Sequence, residues 1–272
     1  MEKQYQPSGL FDASRLVLAV AGLVLVAGAC SLGLGVATAE GWYFIAVVPA
    51  AATLPLALAG YPAAQWANLR NPRLAAALGG ALGAAMYLGQ YYFIMVHDLG
   101  AEAIARLDLL PAFFVECMNQ QIIGKPPNEP SPWVNWSIFW VELAMCASIG
   151  GTPWFLAASR PYCERCRRWM SKHTTTLRGG CAKQLAEAFA SGDFVSLPTL
   201  EPVVSERPGR YSELEVASCL HDGAGDDATF FVTVKEIVRE DRRWHTTTLV
   251  DRSGVTPDEL VALADRCPGM LG

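Results

Sequence analysis

The chain has 272 residues, of which 52% are hydrophobic and only 17% are charged. Soluble domains usually carry about 25% charged residues, so the deficit indicates that part of the chain lies in lipid. The formal net charge of −5 gives no basis for a nucleic-acid partner, because such a partner requires a basic surface.

The charged residues are concentrated in the second part of the sequence. Residues 1–158 hold 6 of the 21 Lys and Arg and 9 of the 26 Asp and Glu, and residues 159–272 hold the remainder. We therefore predict a transmembrane domain over residues 1–158, surrounded by the lipid bilayer, and a domain in water over residues 159–272.

Four segments of the first part are long and apolar enough to cross a bilayer, for which about 20 residues suffice. They are Leu16–Val36, Trp42–Gly60, Leu74–Val96 and Trp133–Ala158. A span in lipid must satisfy its own backbone hydrogen bonds, so each segment is predicted to be a helix. The predicted fold class is an α-helical membrane bundle of four transmembrane helices, followed by a small cytosolic α+β domain with an antiparallel sheet.

Basic residues are distributed unevenly among the connections. The N-terminal lead contains Lys3 and Arg15, and basic residues prevail in residues 61–73 and after the fourth segment, whereas the loop at residues 97–132 is mainly acidic. Lys and Arg near the ends of spans mark the cytoplasmic side. We therefore expect a multi-pass protein of the bacterial inner membrane, with both termini in the cytoplasm and residues 97–132 outside.

The outer loop begins with a helical pattern. Apolar residues recur at steps of three and four over Ala101–Gln121, which predicts a helix with a kink at Pro111.

Two features lie inside the predicted spans. Gly79 and Gly83 form a small-xxx-small pair, which predicts close helix packing within the bundle or, alternatively, the seam of a homo-oligomer. Glu142 is a carboxyl-bearing residue well inside the fourth predicted span, and ionisable residues in such positions are often functional. It indicates either a small-solute transporter with Glu142 in the bundle or a structural carboxyl group bonded to Gln90 or to the backbone.

The second part alternates between strand and helix patterns. Strands are predicted at Tyr211–Ser218, Thr229–Val238 and Trp244–Asp251, a turn at His221–Asp227, and helices at Cys181–Ser191 and from Pro257 to about Cys267. Thr256 and Glu259 have the spacing of a capping box at the start of the last helix. The sequence His-Thr-Thr-Thr-Leu occurs twice, at residues 173 and 245, which indicates either shared strand composition or a duplicated half-unit.

The pair Cys163-Glu164-Arg165-Cys166 follows the last span by five residues. In a reducing cytoplasm, two thiols at this spacing are metal ligands or transient redox groups. Structural zinc takes four Cys or His ligands, and Cys219 with His221 is the second pair that the sequence offers. The predicted ligands are therefore Cys163, Cys166, Cys219 and His221, and the predicted cofactor is structural zinc. The alternative set is local: Cys163, Cys166, His173 and Cys181.

Two features of the sequence are similar to those of a known group of proteins: the segment Tyr162–Trp169 and the strand–Cys219–turn–strand unit. On them the chain resembles uncharacterised bacterial four-span membrane proteins with a cytosolic zinc-ribbon-like domain after the last helix. The resemblance implies a structural zinc knuckle, although this chain has no second Cys-x-x-Cys.

No catalytic triad and no phosphate-binding loop is recognisable in the sequence. We therefore expect a protein that is not an enzyme and that acts in scaffolding, assembly or signalling through an unknown protein partner. The alternative is a membrane thiol-disulfide oxidoreductase that uses Cys163 and Cys166, because quinone-linked enzymes of that kind are also four-helix bundles with a Cys-x-x-Cys.

The stretch Arg160–Lys183 contains seven basic residues and one acidic residue, Glu164. It adjoins the membrane, so anionic lipid headgroups are the expected partner, at about 1 kcal/mol for each basic residue near the surface.

Overall fold

The computed structural model describes residues 5–42, 44–119, 132–164, 166–203, 209–219, 230–240, 243–267 and 270. Contacts between residues divide the chain into two units. One unit is Ser8–Ser159, and the other is Arg160–Gly272 together with the N-terminal segment Met1–Pro7.

The first unit is a bundle of helices. They are α1 (Ala13–Ala39), α2 (Val47–Trp66), α3 (Pro72–Leu99), the short α4 (Leu110–Asn119) and α5 (Pro132–Ala158). Helix α3 packs along α1 and α5, and α2 packs along the same two helices from the other side. Each of the four long helices therefore has two close neighbours, as in a four-helix bundle.

Three of the described helices are long and apolar enough to span a membrane: α1, α2 and Trp133–Ala158 of α5. Many of their large apolar side chains face outward, among them Leu25, Leu58 and Val141. Helix α3 is the longest of the four at 28 residues, but it is less apolar, because glycines, tyrosines and Gln90 occur among its apolar residues. Three of the four predicted segments thus correspond to helices that could span a membrane.

The predicted bounds of the second span are wrong. Helix α2 begins at Val47, five residues after the predicted start, and continues to Trp66, six residues past the predicted end. Ala46, just before it, has a φ of 63° in the left-handed region, and this conformation stops the helix from extending towards Trp42. Pro62 lies inside the last part of the helix, where packing against neighbouring helices overrides its helix-breaking tendency.

The predicted kink at Pro111 is also wrong. The pattern at Ala101–Gln121 resolves into two 3₁₀ turns, at Ala101–Ala105 and Leu107–Leu109, followed by α4. Pro111 is the second residue of α4 and therefore lies in the first turn of a helix. A first-turn proline starts a helix without distortion, because its missing N–H has no partner there in any case.

The seam between α3 and α5 depends on glycines. A Cβ added at Gly79 would lie 2.6 Å from the carbonyl oxygen of Gly150, and one added at Gly83 would collide with the backbone of Cys146. The two helices therefore approach backbone to backbone. The predicted packing role of Gly79 and Gly83 within the bundle is confirmed.

The second unit contains six strands and two helices among its described residues. They are β1 (Tyr162–Cys163), β2 (Arg168–Trp169), β3 (Ser171–Arg178), α6 (Cys181–Ser191), β4 (Arg210–Ser218), β5 (Phe230–Glu240), β6 (Arg243–Val255) and α7 (Pro257–Arg266). The predicted strands and both predicted helices are confirmed, as is the capping box of Thr256 and Glu259. The predicted turn at residues 221–227 lies outside the described residues.

The main sheet is antiparallel, in the order β3-β4-β5-β6. Its core contains Leu214, Val232 and Val234 from the central strands, Leu185 from α6 and Leu263 from α7. The two His-Thr-Thr-Thr-Leu copies lie on β3 and β6, which are the two edges of the sheet. Exposed threonines suit edge strands, so the shared position accounts for the shared composition.

The N-terminal segment contacts the second unit through Tyr5. Its backbone N–H donates to the carbonyl of Arg252 at 3.0 Å, and its hydroxyl accepts from the N–H of Tyr162 at 3.2 Å. The hydroxyl lies 3.4 Å from the carbonyl of Arg160, to which it donates, and the ring packs edge-on against Phe231. The chain just before α1 is therefore held beside the chain just after α5.

Candidate metal centre

The Cys-x-x-Cys pair lies in a tight hairpin formed by β1 and β2. Cys163 pairs with Arg168 across this hairpin, and Arg167 adopts a φ of 53°, which lets the chain reverse. The N–H of Cys166 points at the sulfur of Cys163, with 3.5 Å between nitrogen and sulfur. A backbone N–H directed at a cysteine sulfur stabilises the thiolate form, which is the form that binds a metal.

The register of the main sheet brings the third cysteine to this hairpin. The first residue of β3, Ser171, pairs with the last residue of β4, Ser218. The hairpin precedes β3 directly, and Cys219 follows β4 directly, so both lie at the same end of the sheet. The N–H of Met170 donates to the carbonyl of Pro161 at 3.0 Å and fixes the base of the hairpin.

The sulfur atoms of Cys163, Cys166 and Cys219 all lie within 4.8 Å of one another. Zinc–sulfur bonds of about 2.3 Å at tetrahedral angles place sulfurs about 3.8 Å apart, so a small contraction would bring these three sulfurs to one zinc ion. A small apolar cluster of Met170, Ala217 and Phe231 surrounds the thiols. Three close cysteines with this spacing can hold a metal ion.

The thiol of Cys219 is poorly suited to ionise without a cation. Burial, followed by the hydrogen bonds and charges of Cys166 and Cys163, raises the pKa of Cys219 to about 12. Three thiolates in such a small volume repel one another, and a divalent ion removes that repulsion when it replaces their protons.

The remaining predicted ligands have different positions. His221 lies outside the described residues. His173 lies within β3 and Cys181 begins α6, and neither belongs to the cluster of three cysteines, so the described residues do not assemble the local alternative set. Cys181 is instead near Cys267, whose pKa burial raises to about 12.

Glu142 is fully buried inside the first unit. Its Oε1 accepts from the N–H of Ala46 at 2.8 Å, and its Oε2 accepts from the hydroxyl of Tyr87 at 2.7 Å. The sequence indicated Gln90 or the backbone as the partner, and the backbone partner is present. Tyr87 was not among the partners that the sequence indicated.

Comparison with protein families, with characterised proteins and with solved structures found no match for this chain. The function is therefore inferred from the geometry of the two units.

Proposed function

We propose that this protein is a membrane-anchored scaffolding, assembly or signalling protein whose C-terminal domain is organised by a structural zinc knuckle. The observation that carries the proposal is the convergence of three cysteine sulfurs within 4.8 Å, from a hairpin and from the end of a neighbouring strand. Cys163, Cys166 and Cys219 supply three ligands, and His221, which lies outside the described residues, stays the fourth ligand that the sequence predicts. The metal closes the end of the sheet, so the knuckle shapes a surface that a protein partner recognises.

Direct metal analysis of the full-length protein, purified in detergent without chelator, tests this assignment. We expect one zinc per chain in the wild type, and loss of that zinc in Cys163→Ser and in Cys219→Ser. Cys181→Ser is the matched control, because this thiol lies in the same unit but outside the cluster, and it should keep the zinc. A folded wild type without metal, or a Cys219→Ser variant that retains zinc, would contradict the proposal. A disulfide among the three cysteines in place of metal would favour the oxidoreductase alternative.

The contacts of Tyr5 support four membrane crossings, with α3 as the fourth span. Tyr5 precedes α1 and lies against residues 160, 162 and 252, all of which follow α5. If only α1, α2 and α5 crossed the bilayer, residue 5 and residue 160 would be on opposite faces. An even number of crossings is needed, and α3 is about 42 Å long, more than the hydrocarbon core requires. The excess of basic residues after α5 and between α2 and α3 then favours a bacterial inner-membrane protein with both termini in the cytoplasm.

This topology predicts a labelling pattern with a membrane-impermeant maleimide. In intact cells, Glu102→Cys should react, because residue 102 follows α3 and lies outside. Ser14→Cys and Asp258→Cys are exposed controls on the cytoplasmic side, and they should react only after the membrane is opened. If Glu102→Cys were protected in intact cells and reactive only in opened membranes, α3 would not be a span.

The basic stretch Arg160–Lys183 supports a lipid contact through some of its residues only. Lys172 forms an ion pair with Glu215 at 2.7 Å, and Arg178 forms one with Glu201 at 3.0 Å. Arg167 and Arg168 are exposed in the knuckle hairpin itself. We therefore propose these two arginines as the main contacts with anionic headgroups.

A further inference from the structure

The helix bundle contains a small cavity beside Glu142, lined by both apolar and polar side chains. Its volume is about 30 Å³, which is enough for one or two water-sized occupants. Oxygen-bearing side chains make up its polar lining: Thr38, Tyr87, Gln90, Tyr91, Asn135 and Glu142. None of the three cysteines of the metal knuckle lines this cavity.

The carboxylate at the cavity is held in a fixed orientation. Both of its oxygens act as acceptors, one from Ala46 and the other from Tyr87. Ala46 adopts a positive φ of 63° to present its N–H, a backbone conformation that is unfavourable for an alanine. Ala46 is also the cap of α2, so the positive end of a helix dipole supports the negative charge of Glu142.

The strongest sign of an occupant is Gln90. Only 2% of this residue is exposed, and its Oε1 has no hydrogen-bond partner among the residues that the structure describes. A buried acceptor without a partner carries a free-energy cost, because it has lost its hydrogen bonds to water. Gln90 lines the cavity, so an occupant of the cavity would relieve that cost.

The hydroxyl groups nearby also present oxygen lone pairs. The proton of Tyr87 is directed to Glu142, so Tyr91, whose hydroxyl lies 3.5 Å from that of Tyr87, is the donor of that pair. The hydroxyl of Thr38 donates to the carbonyl of Leu34 at 2.8 Å. With these protons directed elsewhere, Tyr91 and Thr38 act as acceptors towards the cavity.

We propose that the cavity is a binding site for a small monovalent cation the size of Na⁺. The ligand set is a carboxylate, an amide oxygen and hydroxyl oxygens, and hard cations prefer oxygen ligands. One carboxylate balances one positive charge, and a divalent ion would ordinarily bring further carboxylates. In a medium of low dielectric constant, the attraction between that carboxylate and a cation is much stronger than in water.

Binding of radioactive ²²Na⁺ to the purified full-length protein in detergent tests this site. We expect saturable binding of one Na⁺ per chain, displaced by unlabelled Na⁺ but not by choline. Gln90→Leu should weaken binding at least tenfold, because it removes the acceptor that has no other partner. Gln65→Leu is the matched control: it changes a partly buried glutamine that does not line the cavity, and binding should be unchanged.

Two results would overturn the proposal. One is the absence of saturable Na⁺ binding by folded wild-type protein, which would mean that water alone fills the cavity. The other is wild-type affinity in folded Gln90→Leu, which would place the Na⁺ elsewhere. If Gln90→Leu does not fold, Tyr91→Phe removes one ligand oxygen with little change in shape, and it should weaken binding at least threefold. Wild-type affinity in folded Tyr91→Phe would equally exclude the site.

Discussion

Removal of the metal is expected to release the β1–β2 hairpin and to leave the four-stranded sheet folded. Each strand of the hairpin contains only two residues, which is too short for stability without a further link. The sheet, in contrast, has its own core from four strands and two helices. We therefore expect metal binding to stabilise one local element of the domain.

The size of this effect follows from mass action. At free zinc of 1,000 times Kd, the metal stabilises the bound form by about 4 kcal/mol, which is roughly a 1,000-fold change in local opening. Hydrogen exchange at peptide resolution should therefore show amides of residues 160–170 exchanging up to 1,000 times faster after chelation. Amides of β5, such as those of Val232 and Val234, should keep their protection.

Two variants make this experiment decisive. Cys219→Ser should exchange like the chelated protein even when zinc is present, and Cys181→Ser should exchange like the wild type. Equal loss of protection in the hairpin and in β5 would show that the metal supports the whole domain. No change in the hairpin would show that it is stable without metal.

Gly83→Ala is expected to destabilise the helix bundle by about 3 kcal/mol, near the upper end of the usual cost of overpacking. The new methyl group would meet the carbonyl oxygen of Cys146, and its carbonyl carbon at 3.0 Å. Both atoms belong to the backbone of α5 and cannot rotate away, so the two helices must separate. Titration of the purified protein with a denaturing detergent, followed by circular dichroism, measures this loss.

Gly28→Ala provides the matched control in a membrane helix. A Cβ at this position would have no atom within 4 Å, so the change should leave stability the same or slightly higher. If Gly83→Ala were as stable as Gly28→Ala, the close approach of α3 and α5 would not contribute to the stability of the bundle.

The sequence predicted those elements whose signals are local. Alternation along β4 and β5 identified two central strands, and Thr256 with Glu259 identified the start of α7 from capping chemistry alone. The position of Cys219 after a predicted strand also suggested its place beside the Cys-x-x-Cys pair.

Contacts between residues that are far apart in the chain could not be predicted from the sequence. Nothing in a span of apolar residues marks Tyr87 as the partner of Glu142, because that contact depends on how α3 and α5 rotate against each other. The start of α2 was misplaced for a similar reason. Ala46 has no local preference for a left-handed φ, and a carboxylate 96 residues away accepts from its N–H.

The attachment of Tyr5 has a consequence for the order of events during synthesis. Its partner Arg160 is 155 residues further along the chain, so at 5–20 residues per second the ribosome needs roughly 8–30 s to reach it. In the proposed four-span topology, the intervening helices are inserted during this interval. The contact with Tyr5 would then form only after insertion has returned the chain to its starting face, so its formation would report correct insertion of the bundle.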